Sequence, residues 1–157
     1  MEQVPWHAVL VHFPIALSVL IPLVAAILWF VARQIPDGAR VWRLLPVLGG
    51  IHLVSVLVAN HFGRLETARI APLISDDALL ALEAHSQAGE NALAYALIVW
   101  GASMAVMHFA RRSARAATWA PWAFVVLSLV VAIPILRLAQ SGSELIYEHG
   151  LWEVGRR

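Results

Sequence analysis

Four apolar runs separated by polar segments constrain this fold more than any other feature of the sequence. The runs extend roughly over 13–31, 44–59, 92–110 and 119–136. A helix of about 19 residues rises roughly 28 Å, which matches the hydrocarbon core of a bilayer. Charged residues make up only 13% of the 157 positions, about half of what soluble domains carry. The sequence therefore predicts an all-α fold, in which a single domain over 1–157 forms an integral membrane four-helix bundle.

Several classes of protein are excluded by composition. The chain has no cysteine, so disulfides, thiolate metal sites and covalent c-type haem attachment are impossible. The first run is too long for the apolar core of a signal peptide, and the flank before it carries Glu2 but no cation, so we expect this run to be retained. A net charge of +1 argues against a nucleic-acid surface. Any redox chemistry would need a bound cofactor.

The arginines predict the orientation, since the chain has no lysine. The loops after the first and third runs carry six of the eleven arginines: Arg33, Arg40, Arg43, Arg111, Arg112 and Arg115. By the positive-inside rule these loops face the cytoplasm. We therefore expect a multi-pass protein of the bacterial inner (cytoplasmic) membrane with both termini on the periplasmic side.

Histidines cluster at one face of the predicted bundle. Five of the seven lie where this topology brings the ends of the spans together: His7, His12, His61, His85 and His149. Neutral imidazole ligates haem iron, copper, zinc and non-haem iron, and bundles build such sites from facing helices. A single interfacial histidine more often only hydrogen-bonds headgroups, but five at one face favour a ligand site.

The leading ligand candidates are His12 and His85, because each stands at the start of a separate helical segment at the mouth of the bundle. Two histidines on different helices suffice to hold a b-type haem axially. His7 and His149 are candidates for a second site or for supporting roles. Arg137, one turn from the outer end of the fourth run, would either pair with haem propionates or extend its charge to the interface.

The remaining polar signals have structural interpretations. His61 is expected to cap the second helix, and His52, inside the second run, to hydrogen-bond another helix. We expect His108 to be a cytoplasmic interface residue. Ser75, followed by two acids, reads as an N-cap and predicts that the third helix begins well before the bilayer.

Three segments resemble a known family. The opening His7-Ala-Val-Leu-Val-His12-Phe-Pro-Ile-Ala-Leu resembles the start of a bacterial predicted membrane-protein family, domain of unknown function 2231. The segments 83–90 and 142–150 are similar to two later motifs of that family. The family's histidines match four residues of this chain: His7, His12, His85 and His149.

The resemblance implies electron transfer, because some relatives are joined to c-type cytochrome domains and the four-helix plan is similar to di-haem transmembrane cytochromes of the b561 type. We expect haem b, ligated by His12 and His85, to pass electrons between membrane quinol and a periplasmic acceptor such as a c-type cytochrome. Two alternatives stay open. The chain is a cofactor-free accessory subunit of a larger membrane complex, or three or four histidines hold copper, zinc or non-haem iron. In every case the partners include lipid, and for the leading hypothesis we expect an electron-transfer protein rather than a free-standing enzyme.

Overall fold

A computed structural model of the chain describes residues 6–148, and the expectations for His149 lie outside this range. Within it the chain is helical, with no β-strand. The α-helices are α1 (Trp6–Leu10), α2 (His12–Ala32), α3 (Leu44–Ile70), α4 (Asp76–Arg112) and α5 (Ala114–Tyr147). Two short 3-10 helices, Gly38–Arg43 and Ala71–Leu73, flank α3. The predicted all-α fold is confirmed.

Among residues 6–148, four helical segments are long and apolar enough to cross a membrane. The first spans His7–Ala32, so α1 and α2 together form one segment, and the others contain α3, α4 and α5. Large apolar side chains such as Ile27, Val54 and Val126 are exposed on their outer faces, as lipid-facing helices require. The protein is therefore a membrane protein with four apolar helices, as the sequence predicts.

The long helices meet in one apolar core. Each of the four contributes buried side chains, among them Ile21, Leu45, Val99 and Phe124. The helices pack closely where residues are small. A Cβ added to Gly49 on α3 would lie 3.3 Å from the Cα of Trp100 on α4. Close packing of this kind stabilises helix association in lipid, where apolar burial gives no driving force.

The helices continue beyond the apolar runs at one end of the bundle. Where the second run ends near residue 59, α3 continues to Ile70. As the sequence predicts, α4 begins directly after Ser75, although the Ser75 side chain makes no capping hydrogen bond. The 37 residues of α4 measure about 55 Å along the axis, well beyond the roughly 30 Å of a hydrocarbon core. Ile70, Leu82 and Leu145 form a separate small core in this extension.

The two ends of the bundle differ in chemistry. The end formed by the start of α2, the end of α3, the start of α4 and the end of α5 is called the histidine end below. The opposite end, which carries the loops after α2 and α4, is the arginine end. There the Arg33 guanidinium lies 4.7 Å from the Trp29 ring centre, and Trp29 packs edge-on against Trp122 at 5.0 Å.

Candidate functional site

Two imidazoles face each other at the histidine end. His7 on α1 and His85 on α4 have ring centres 6.5 Å apart and nearly perpendicular planes. Both side chains are half-buried. His7 and His85 are both predicted site residues, and the structure brings them together.

The backbone of α3 fixes the His7 ring. Its Nδ1 lies 3.0 Å from the carbonyl oxygen of Ala59. A carbonyl only accepts hydrogen bonds, so Nδ1 carries the proton and Nε2 keeps a lone pair. Gly63, one turn further along α3, makes room for the ring, because a Cβ there would lie 2.9 Å from His7 Cε1.

A hydroxyl on α5 fixes the His85 ring in the same tautomer. His85 Nδ1 lies 2.9 Å from Ser141 Oγ, and Ser141 donates its one proton to the Leu138 carbonyl at 2.9 Å. With that proton on the Leu138 carbonyl, Ser141 accepts from His85 Nδ1–H, and the lone pair is on Nε2. A glycine again adjoins the ring, since a Cβ on Gly142 would lie 3.1 Å from His85 Cε1.

A further contact joins α3 to α4 beside the pair. Asn60, the residue after Ala59, donates from Nδ2 to the Gly89 carbonyl at 2.8 Å. One turn further out, Arg64 and Glu90 form an exposed ion pair at 3.3 Å. The two facing imidazoles are therefore held in place by contacts among α1, α3, α4 and α5. Sequence reasoning identified the imidazoles but missed Ala59, Gly63 and the role of Ser141.

The other predicted site residues lie apart from the pair. His12 begins α2 as expected, but its side chain is exposed. Within residues 6–148, no hydrogen bond or ring contact joins it to His7 or His85. Arg137 is exposed on α5, one turn before Ser141. The expectation that His61 caps the second helix is wrong, because α3 continues past it to Ile70 and its ring contacts Phe62.

Two histidines lie elsewhere in the fold. His52 is 1% exposed, and its Nε2 lies 3.1 Å from Ser18 Oγ on α2. This confirms the predicted hydrogen bond to another helix. His108 is exposed near the arginine end, where it lines a cavity with Arg111 and Arg112.

The pair offers two unprotonated nitrogens to a ligand. An imidazole nitrogen binds a transition-metal ion at about 2.0–2.1 Å, so two rings on opposite sides of one ion have centres roughly 6 Å apart. The 6.5 Å separation of His7 and His85 is close to this value. In the part of the chain that the structure describes, no group of three or more His, Asp or Glu side chains is arranged to hold a metal.

Comparison with known proteins supports the membrane assignment. A family model described as a predicted membrane protein (DUF2231) matches residues 3–155. No curated protein and no solved structure matches the chain. The match covers nearly the whole chain, including both imidazoles of the pair and the helices that carry them.

Proposed function

We propose, from the premise that the chain belongs to the family of predicted membrane proteins DUF2231, that it is an electron-transfer protein of the bacterial inner membrane. In this proposal haem b lies between His7 and His85 at the periplasmic face. It passes electrons between membrane quinol and a periplasmic acceptor such as a c-type cytochrome. The observation that carries the proposal is the facing pair of imidazoles, each with its Nε2 unprotonated.

The tautomers of the pair support ligation. Metal-binding histidines almost always donate their second ring N–H to a carbonyl, carboxylate or water, which orients the ring and raises its basicity. His7 donates to the Ala59 carbonyl and His85 to Ser141. These bonds come from two different helices, α3 and α5. Each ring is therefore held through Nδ1, which leaves its Nε2 available to bind iron. The proposal therefore assigns the second ligand to His7 in place of the exposed His12.

The surroundings suit a cofactor with both apolar and anionic parts. Arg137 lies one turn from Ser141 towards the apolar part of α5, where its guanidinium would form charge-assisted hydrogen bonds with haem propionates. Apolar outer faces on the four long helices give quinol access from the lipid. The histidine end projects beyond the apolar runs, so a water-soluble acceptor would approach the pair from that side.

A single metal ion between the same two nitrogens is the second candidate. It is favoured by the spacing, because 6.5 Å between ring centres is already close to that of two imidazoles on one ion. Cavities about His52 and beside His108 exist, but neither is lined by His7 or His85. Imidazole suits copper, zinc and iron. The copper or zinc alternative thus shares this site and differs from the haem proposal only in what occupies it.

An absorption spectrum of protein purified from haem-replete cells tests the proposal. The reduced protein should show the sharp α and β bands of low-spin b-type haem, and acidic acetone should extract the haem because no cysteine links it. His7→Ala and His85→Ala should give high-spin or lost haem. His12→Ala and His61→Ala, which alter exposed histidines at the same end, are the matched controls and should keep the wild-type spectrum.

Two results would contradict the haem proposal. A colourless preparation with stoichiometric copper or zinc, lost in His7→Ala, would establish the metal alternative. A colourless preparation without metal would favour the cofactor-free accessory subunit. Membrane insertion should persist in all four variants, because the hydrophobicity of the spans drives it.

A further inference from the structure

His52 is the most enclosed titratable side chain of the apolar core. It lies near the middle of the apolar run 44–59 of α3 and is 1% exposed. Its Nδ1 has no hydrogen-bond partner among residues 6–148. Ionisable side chains inside a membrane are costly, and their presence there points to function.

Hydrogen bonding fixes the tautomer of His52. Ser18 donates its one hydroxyl proton to the Pro14 carbonyl at 2.6 Å. The 3.1 Å contact between Ser18 Oγ and His52 Nε2 is therefore a bond that Nε2–H donates and Ser18 accepts. Neutral imidazole has only one N–H, so Nδ1 bears a bare lone pair.

The His52 side chain, which carries this lone pair, lines a narrow void where all four long helices meet. The void is lined by Ser18 from α2, His52 from α3, Val99 from α4 and Ser128 from α5, together with further apolar residues of α2 and α5. It is too narrow to hold a water molecule. The lining contains no charged group and no second titratable group. Of the ligands that an imidazole lone pair takes, only a proton fits.

Ser128 on α5 lines the same void and has the capacity to accept a hydrogen bond from a protonated ring. Ser128 donates its proton to the Val125 carbonyl at 3.0 Å, so its oxygen keeps lone pairs that can accept from an Nδ1–H. The other serine near His52 is not part of the void. Ser55 donates to the His52 carbonyl at 2.7 Å and is not among the residues that line the void.

His52 also lies on the same face of α3 as the residue that holds one of the paired imidazoles. Ala59, whose carbonyl holds His7, follows His52 by seven residues on α3. Seven helical residues rise about 10 Å and return to within about 20° of the same face. As a scale, one unit of charge about 12 Å away, at an effective dielectric constant near 20, changes the affinity of a group for a proton roughly tenfold.

We propose that His52 is a proton-binding site of the membrane interior, coupled to the charge of the centre at His7 and His85. A proton from the aqueous phase binds Nδ1 and converts the neutral imidazole to an imidazolium that donates to Ser128. Adding an electron at the centre favours this uptake, and removing it favours release. The coupling rests on the proposed function, whereas the proton site itself does not.

Nitrogen NMR of the cofactor-free protein, labelled at histidine and held in detergent micelles, tests the proton site. Near pH 8, His52 should show the Nε2–H tautomer, and acidification towards about pH 5 should protonate Nδ1 while the helices stay folded. Ser128→Ala should require a roughly tenfold higher proton concentration, since a hydrogen bond to a charged group is lost. Ser55→Ala is the matched control and should titrate like the wild type.

The proton site would be overturned by the Nδ1–H tautomer at neutral pH. It would also be overturned if His52 stayed singly protonated over the whole pH range in which the bundle is folded.

The coupling is tested by redox titration of the haem-loaded protein. The midpoint potential should fall as pH rises, by up to about 59 mV for a tenfold linkage. His52→Gln should abolish this dependence, and His108→Gln, at the arginine end, should keep it. A wild-type potential that is independent of pH would overturn the coupling while leaving haem binding intact. If the protein binds no haem, the proposed function fails and the NMR titration still decides the proton site.

Discussion

At the scale of single residues, the histidine end depends on positions where a ring lies against a backbone. A Cβ added to Gly63 on α3 would lie 2.9 Å from Cε1 of His7, and a Cβ added to Gly142 on α5 would lie 3.1 Å from Cε1 of His85. No flexible conformation is required there, because both glycines lie inside helices. Their role is to leave space. Each ring thereby stays close enough to its acceptor to keep a defined tautomer.

Replacing Gly63 with alanine should therefore displace His7. The added methyl group would force the ring away from α3 and break its bond to the Ala59 carbonyl. Overpacking of this kind costs about 1–3 kcal/mol, and thermal unfolding of the cofactor-free protein would measure it. Gly101→Ala is the control, since nothing lies within 4 Å of a Cβ at that position, and it should be neutral or stabilising by up to about 1 kcal/mol. Equal unfolding temperatures for both variants would contradict this account of Gly63.

The sequence predicts some residues of the site better than others. His85 is a leading candidate from its position in the third helical segment, and the structure places it in the pair. His12 receives the same weight because it begins a helix, but its exposure shows that a helix start does not determine which way a side chain faces. The Ala59 carbonyl could not be predicted, since every residue has a backbone acceptor and its use depends on tertiary packing.

At the scale of elements, α3, α4 and α5 continue beyond the membrane-length runs. Hydropathy falls near residue 59, which predicts the end of a span, but a fall in hydropathy does not end a helix. Proline is the strongest helix breaker, and after residue 59 none occurs until Pro72, which lies in the 3-10 helix Ala71–Leu73 directly after α3. The acids after Ser75 mark the start of α4 correctly because they signal a helix terminus directly.

The extension should depend on its own small core. Leu82 is 5% exposed and packs with Ile70 and Leu145, so Leu82→Ala should destabilise this region by about 2–5 kcal/mol. Hydrogen exchange should rise at the amides of 76–91 and stay low in the apolar part of α4. Leu80→Ala, at a position 65% exposed, provides the control and should exchange like the wild type. Uniformly faster exchange along all of α4 would show that the extension does not unfold independently of the apolar part of the helix.

At the scale of the whole molecule, the two ends carry different charges, and this asymmetry predicts the orientation. Six arginines lie in or beside the loops at the arginine end. A reporter that is active only in the periplasm should therefore work when fused after Arg157 and fail when fused after Arg112. A reporter that is active only in the cytoplasm should give the opposite pattern. If the periplasmic reporter worked after Arg112 instead, the histidine end would face the cytoplasm, and the proposed periplasmic electron acceptor would be ruled out.

The support of the two imidazoles also has a consequence for biosynthesis. His7 emerges from the ribosome before the other residues of the site, and its acceptor, Ala59, arrives with the second long helix. Ser141, which orients His85, lies near the end of α5. A partly translated chain can therefore insert its first spans, because hydrophobicity alone drives insertion, but it cannot orient both rings. If the pair binds a ligand as proposed, the site with both rings oriented forms only after the last helix has joined the bundle, so the order of synthesis would keep unfinished chains from premature loading.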